Sequence, residues 1–261
     1  MITVSLNPVL LSIGHFQLRW YSLIIILAIS VGLWLVMLEA KRKSVSQDLI
    51  SDLSGWMILG GLIGARMLHV ADHWNDVFSN DFTKIFKIWE GGLAIWGAIL
   101  GGLITLSVFA WRNKLVLPKL LDTFAPGIVL GQAVGRIACI ITGDSVGKPT
   151  TGPFGLAYTN PEAMVPQLGV YYTPTPIYEI LLNTGIFIIL WRMRKLRLPD
   201  GALFLIYLSL YSIGRLLITF MSAYREFAFG LNQAQFISAI SLIITLPVLL
   251  RMVLIHNSRR A

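Results

Sequence analysis

Three arginines, Arg66, Arg136 and Arg215, stand inside stretches that are otherwise apolar. A charge at the centre of a bilayer costs roughly 2.5–3.5 kcal/mol on insertion scales, so such residues face a partner or a cavity rather than lipid. A single arginine could snorkel to the headgroups along its aliphatic stem. Three of them, each with a glycine close by (Gly64, Gly135 and Gly214), point instead to a bound anion. A planar guanidinium grips phosphate or carboxylate with two parallel N–H groups, which a lysine cannot do. Counted at about 1.5 Å per residue from a common side of the membrane, the three reach a similar height of roughly 20–25 Å.

Other polar residues gather near that height: Tyr21, Glu90, Asp144, Tyr178, Glu179 and Tyr211. Tyr211 precedes Arg215 by four residues and so shares its helix face. Glu179 is a carboxylate in an apolar span and requires a cation, for which one of the arginines is available. Tyr21 could equally belong to the aromatic belt of a membrane interface. Gly91 and Gly92 offer a place where a ligand could approach the backbone. Cys139, the single cysteine, reads as a small buried hydrophobe. His69 and His73 are four apart, yet Arg66 lies nearby and no His/Cys cluster has metal-ligand spacing, so neither a metal nor a cofactor is expected.

These residues must be positioned by elements that cross a membrane. The chain has 261 residues, 56% hydrophobic and 13% charged, with a mean hydropathy of +0.72. Soluble domains run at about 45–50% apolar and about 25% charged. Aromatics at 11% and one cysteine exclude disorder and disulfide scaffolds. A hydrocarbon core about 30 Å thick takes roughly 17–25 helical residues to cross. Seven stretches qualify: Trp20 to Leu38, Ile50 to Val70, Leu93 to Trp111, Leu120 to Ile141, Thr175 to Trp191, Ala202 to Met221 and Gln233 to Ile255. Pro174 and Pro176 disturb the start of the fifth. The Met1–Leu18 stretch has neither the charged start nor the cleavage site of a signal peptide, so the first span is expected to be retained. The expectation is a single all-α polytopic domain over residues 1–261.

The net charge of +8 would suit nucleic acid only on a soluble basic face, and here it sits between spans, so no nucleic-acid partner is expected. With the N-terminus outside, the inner segments hold Lys41, Arg42, Lys43, Arg112, Lys114, Lys119, Arg192, Arg194, Lys195, Arg197, Arg251, Arg259 and Arg260. The outer ones hold Arg19, Lys84, Lys87, Lys148 and Arg225. This bias predicts an exterior N-terminus and a cytoplasmic C-terminus. The long connections, 70–92 and 142–174, then face outward, and the second, rich in Gly, Pro, Thr and Tyr, should carry little regular structure. Tyr224 and Arg225, after the sixth span, could order the outer loop. Gly60 and Gly64, Gly97 and Gly101, and Gly127, Gly131 and Gly135 repeat at i, i+4, the spacing that lets helix backbones approach closely.

The run from Gly131 to Gly147, Gly-Gln-Ala-Val-Gly-Arg-Ile-Ala-Cys-Ile-Ile-Thr-Gly-Asp-Ser-Val-Gly, resembles the signature of the bacterial prolipoprotein diacylglyceryl transferases. So do Trp89-Glu90-Gly91-Gly92-Leu93-Ala94-Ile95, Pro174-Thr175-Pro176-Ile177-Tyr178-Glu179, Tyr211-Ser212-Ile213-Gly214-Arg215 and Arg19-Trp20-Tyr21. The resemblance implies transfer of diacylglyceryl from phosphatidylglycerol to the lipobox cysteine of a secreted prolipoprotein, with release of glycerol phosphate, in the bacterial cell membrane. It assigns the family's two essential arginines to Arg136 and Arg215, its N-terminal tyrosine to Tyr21 and its signature carboxylate to Asp144. Tyr178, Glu179 and Tyr211 match its other polar positions. The chain departs from the commonest pattern at Cys139 and Thr142, where asparagines are usual, at Asp144 for glutamate, at Trp96 for histidine or tyrosine, at Thr173 for histidine, and at Thr219 for glutamate. A divergent branch that keeps the arginines and changes their neighbours is expected.

On this reading Arg136 and Arg215 bind the phosphodiester and stabilise the charge of the leaving phosphate. Arg66, Gly135, Tyr178, Glu179, Tyr211, Gly91, Gly92 and Trp96 complete the substrate site. The substrate thiol reacts as thiolate from a pKa of about 8.5, with Asp144 first and Tyr21 second as its proton acceptor. Two alternatives stand beside it: an inactive phospholipid-binding paralogue and a transporter of an anionic solute. Against the transporter, the arginines cluster towards one side and no inverted repeat is evident.

Overall fold

The computed structural model describes residues 1–258 except His15 and Asn80. Arg259 and Arg260, counted above among the inner charges, lie outside the described residues, as does the side chain of Glu90. Seven helices among the described residues are long and apolar enough to cross a membrane. They are α1 (Trp20–Arg42), α2 (Gln47–Asp72), α3 (Ile95–Arg112), α4 (Leu117–Thr142), α5 (Thr175–Met193), α6 (Ala202–Ile218) and α7 (Gln233–Ser258). Each expected span corresponds to one of them, although α3 starts at Ile95, two residues after the expected Leu93. α1 runs past Leu38 because Glu39 and Arg42, three residues apart, close an ion pair of 2.7 Å on the helix. α6 tightens into a 3₁₀ turn over Thr219–Met221. Pro174 and Pro176 do not break α5. They stand at its N-cap and in its first turn, where a missing N–H leaves no helical bond unmade.

The chain divides into two compact units, Met1–Val36 with Leu121–Ala261, and Met37–Leu120. In the first, the core is shared by three helices: Ala125 and Val129 of α4, Ile186 and Leu190 of α5, and Leu203 and Tyr207 of α6. Asp122 of α4 starts α6, accepting hydrogen bonds from the Gly201 and Phe204 amides at 2.9 and 2.8 Å, two of the donors that a helix N-terminus leaves open. α7 joins α6 through hydroxyl pairs, Ser209 to Thr245 at 3.0 Å and Ser212 to Ser241 at 2.9 Å. Its other side presents Ile243, Ile244 and Leu254 outward, as expected of a helix whose solvent is lipid. Gly32 of α1 meets Gly127 of α4 so closely that a Cβ on Gly127 would stand 2.5 Å from the Gly32 carbonyl oxygen.

The non-helical segments of this unit pair with one another. β1 (Ile2–Val4) runs parallel to β4 (Leu156–Tyr158), a strand inside the connection read as irregular from composition. The strand has two partners: β1 from the far end of the chain, and Tyr172, whose amide donates to the Leu156 carbonyl at 2.8 Å and whose carbonyl accepts from the Leu156 amide at 2.9 Å. β2 (Val9–Ile13) and β3 (Phe16–Arg19) make a hairpin leading into α1, and β5 (Glu226–Ala228) pairs with β6 (Leu231–Asn232) ahead of α7. The connection after α4 is held twice. The Gly147 amide donates to Thr173 at 2.9 Å, and the Lys148 amide to Met221 at 2.8 Å. Tyr158 reaches back to donate its hydroxyl to the Ile140 carbonyl at 2.8 Å, and burial pushes that phenol's pKa up. Gly143 ends α4 at φ +75°, where a Cβ would run into Val165 and the Tyr158 ring.

In the second unit the two glycine pairs do what their spacing predicts. A Cβ on Gly64 would collide with the Gly97 carbonyl, and one on Gly101 with that of Gly60, so α2 and α3 touch backbone to backbone. The connection between them carries three short turns, Trp74–Phe78, Phe82–Phe86 and Ile88–Glu90. His69 and His73 stack with ring centroids 4.3 Å apart.

Candidate active site

Arg136 on α4, Glu179 on α5 and Arg215 on α6 each lie within two turns of one end of their helices, about 5–9 Å from it at the helical rise. The three helices that share the core bring them together. Glu179 is 2% exposed and stands between the two guanidiniums. Its Oε2 lies 2.5 Å from Nε of Arg136, and its Oε1 accepts from Nη1 of Arg215. The sequence required one cation for this carboxylate, and the fold supplies two. Two guanidiniums and one carboxylate leave the group with a net charge of +1.

Each arginine keeps further partners. Nη1 of Arg136 faces Ser145 Oγ at 3.4 Å and Cys139 Sγ at 3.7 Å. Nη2 of Arg215 donates to the Tyr224 hydroxyl at 3.3 Å, with the ring centroid 5.7 Å from Cζ. Tyr211 is an ionisable neighbour of both arginines. Tyr21, at the start of α1, has Cys139, Asp144 and Arg136 as its charged or ionisable neighbours. Asp144 is exposed and accepts from the Thr142 hydroxyl at 2.9 Å. Gly135 precedes Arg136, and a Cβ there would meet Ile25 of α1 only at 3.7 Å. Tyr178, half-buried, is one residue and so about 100° around α5 from Glu179. Thus Arg136, Arg215, Glu179, Tyr211, Tyr21 and Asp144 fall around one site.

Arg66, Gly91, Gly92 and Trp96 belong to the second unit, and Arg66 has different partners from those expected. Its Nε donates to the Ile85 carbonyl at 2.9 Å, and its Nη1 to Gly91 and Gly92 at 2.7 and 2.9 Å. Its Nη2 donates to Lys84 and, at 3.5 Å, to Lys87. A guanidinium has five N–H groups, and five carbonyls of one connection receive them. Gly91 and Gly92, at φ +89° and +76°, turn the chain so that both carbonyls point at Arg66, and a Cβ on Gly92 would strike His69. Arg66 is a latch on residues 84–92, so Arg66→Met should raise the rate at which protease cuts that connection by about tenfold or more. The affinity of the Arg136–Arg215 site for an anion should change by less than about threefold. A large loss of that affinity with the connection still protected would return Arg66 to the anion site.

Sequence reasoning did not pick out Ser145 as a partner of Arg136, although it lies in the quoted signature run. It named Tyr224 only as an organiser of the outer loop. Neither has a local signal: a serine after a helix and a tyrosine in a loop become partners only when the chain returns across the arginine.

The fold and site together define a multi-pass membrane protein with a cationic cluster, bridged by one carboxylate, set near one end of its spans. The chain belongs to the prolipoprotein diacylglyceryl transferase family, whose profile matches residues 8–251. It is similar to the phosphatidylglycerol–prolipoprotein diacylglyceryl transferase of Trichormus variabilis, 38% identical over 82% of this chain and 78% of that one. That of Gloeobacter violaceus is 36% identical over 92% and 90%, and that of Listeria innocua 37% identical over 82% and 78%.

Proposed function

We propose that this protein transfers the diacylglyceryl group of phosphatidylglycerol to the lipobox cysteine of a prolipoprotein, at the outer side of a bacterial cytoplasmic membrane. The observation that carries the reading is the shared carboxylate: Glu179 joins Arg136 and Arg215 into a unit of net charge +1, the complement of one phosphodiester. In the reaction the substrate thiolate attacks the carbon of the diacylglyceryl group that is bonded to the phosphate oxygen. A carbon–sulfur bond forms, the carbon–oxygen bond breaks with its electron pair going to oxygen, and glycerol phosphate departs.

Charge grows on the phosphate as that bond stretches. Arg136 and Arg215 are already oriented by Glu179, so the stabilisation requires little reorganisation at the moment of reaction. Asp144, exposed and eight residues after Arg136, is the first candidate to take the thiol proton, and Tyr21 the second. Holding a bilayer lipid and a membrane-tethered peptide at one site supplies much of the remaining rate. The names and coverage of the relatives favour this reading over the transporter and the inactive paralogue. Vesicles of phosphatidylglycerol carrying the purified protein and a lipobox peptide test it. The peptide should gain a thioether-linked diacylglyceryl group with one glycerol phosphate released per peptide. Anion movement across the vesicle without peptide modification would overturn it.

A further inference from the structure

Two buried acceptors on α5 stand one turn apart without a hydrogen bond: Glu179 Oε2 and Asn183 Oδ1. Oε2 has the positive charge of Arg136 beside it, but the Nε–H is not aimed along the 2.5 Å line. Asn183 is 1% exposed, and its oxygen has no hydrogen-bond partner at all. Stranding a buried acceptor costs about 1–3 kcal/mol, and native proteins leave few such groups without a reason.

The site gives that reason a direction. Each charged residue has a polar one a turn deeper on its own helix: Gln132 below Arg136, Tyr211 below Arg215 and Asn183 below Glu179. Gln132 accepts from the Tyr207 hydroxyl at 3.2 Å, and Tyr211 is an ionisable neighbour of both arginines. In Asn183 a half-turn of the amide exchanges C=O for NH₂ with no change of shape, and the amide then offers two donors. Side chains at i and i+4 of a helix are within reach of each other. We propose that Asn183 donates Nδ2–H to Glu179 Oε2 and so is a positioning residue for the transfer reaction. One N–H then fixes the carboxylate that sets the spacing of the two guanidiniums. This rests on the reading of Arg136 and Arg215 as the phosphate cradle.

The test measures kcat and KM for phosphatidylglycerol in vesicles. Asn183→Leu keeps the volume and removes the donor, and should lower kcat by about tenfold or more with KM within about threefold. Asn183→Gln keeps the donor and should hold kcat within about threefold of the original. A side chain that merely packs would instead lower the melting temperature and leave kcat in place. The proposal is overturned if Asn183→Leu has the original kcat, or if the leucine and glutamine variants fall equally. Should the leucine variant fail to fold, Asn183→Met also lacks a donor and adapts its shape to the space; the original kcat in it would also overturn the proposal. Arg136→Gln in the same assay separates the two levels. Turnover in that variant refutes the phosphate cradle, whereas its inactivity beside a fully active Asn183→Leu refutes only the role of Asn183.

Discussion

Arg136→Gln should lower diacylglyceryl transfer by at least about 10³-fold, the range seen when a donor or arginine facing transition-state charge is removed. The unit of Arg136, Glu179 and Arg215 loses one positive charge and becomes a neutral pair, Glu179 with Arg215. A phosphodiester then meets no net attraction, and the charge that grows as the carbon–oxygen bond breaks meets only half of its guanidinium partners. The fold should survive, because Glu179 keeps one of its two cations. The remaining partners of Arg136 are long contacts to Ser145 and Cys139, at 3.4 and 3.7 Å. Glycerol phosphate release by the purified variant, beside its melting temperature, gives both answers. Turnover within about tenfold of the original in a folded variant would remove Arg136 from the chemistry.

Glu179→Gln acts in the opposite electrostatic direction. The unit then carries +2, two guanidiniums face each other without a buried counter-charge, and breaking such a pair costs about 3–5 kcal/mol of stability. Anion affinity need not fall, since the charge has risen, but the spacing of the two forks is no longer set by a common carboxylate. We expect kcat to drop by about 10²-fold without a rise in KM for phosphatidylglycerol, and glycerol phosphate, which carries more charge than the diester, to inhibit more strongly than before. A variant with unchanged kcat, or one inhibited less by glycerol phosphate, would show that Glu179 neither spaces nor neutralises the arginines. The two substitutions therefore separate charge from geometry: one removes a cation and leaves the carboxylate paired, the other removes the carboxylate and leaves both cations.

The seven spans were legible because apolar length is a local property, and each helix satisfies its own backbone wherever it finally sits. Helix ends were less so. α1 continues to Arg42 through an ion pair that hydropathy does not register, and the strand Leu156–Tyr158 takes its ladder from Ile2–Val4, a partner that no local pattern indicates. The close contact of α2 and α3 was legible from Gly60, Gly64, Gly97 and Gly101, since small residues every four positions leave a groove on one face whatever fills it. The signature runs named Arg136, Arg215 and Glu179 but not their pairing, because the three come from helices whose facing sides depend on packing.

Arg66 marks the boundary most clearly. By sequence it has the same apolar surroundings and neighbouring glycine as Arg136, and both offer five N–H groups to any acceptor. Phosphate oxygens and backbone carbonyls accept those groups alike, so residue type cannot choose between them. The path of residues 84–92 over the end of α2 chose carbonyls for Arg66, and the arrangement of α4, α5 and α6 gave Arg136 and Arg215 a shared carboxylate. The sequence by itself determined that three cations stand inside apolar spans. Which acceptor each of them meets was decided by tertiary structure, because a donor's partner is whatever acceptor the fold brings within about 3 Å.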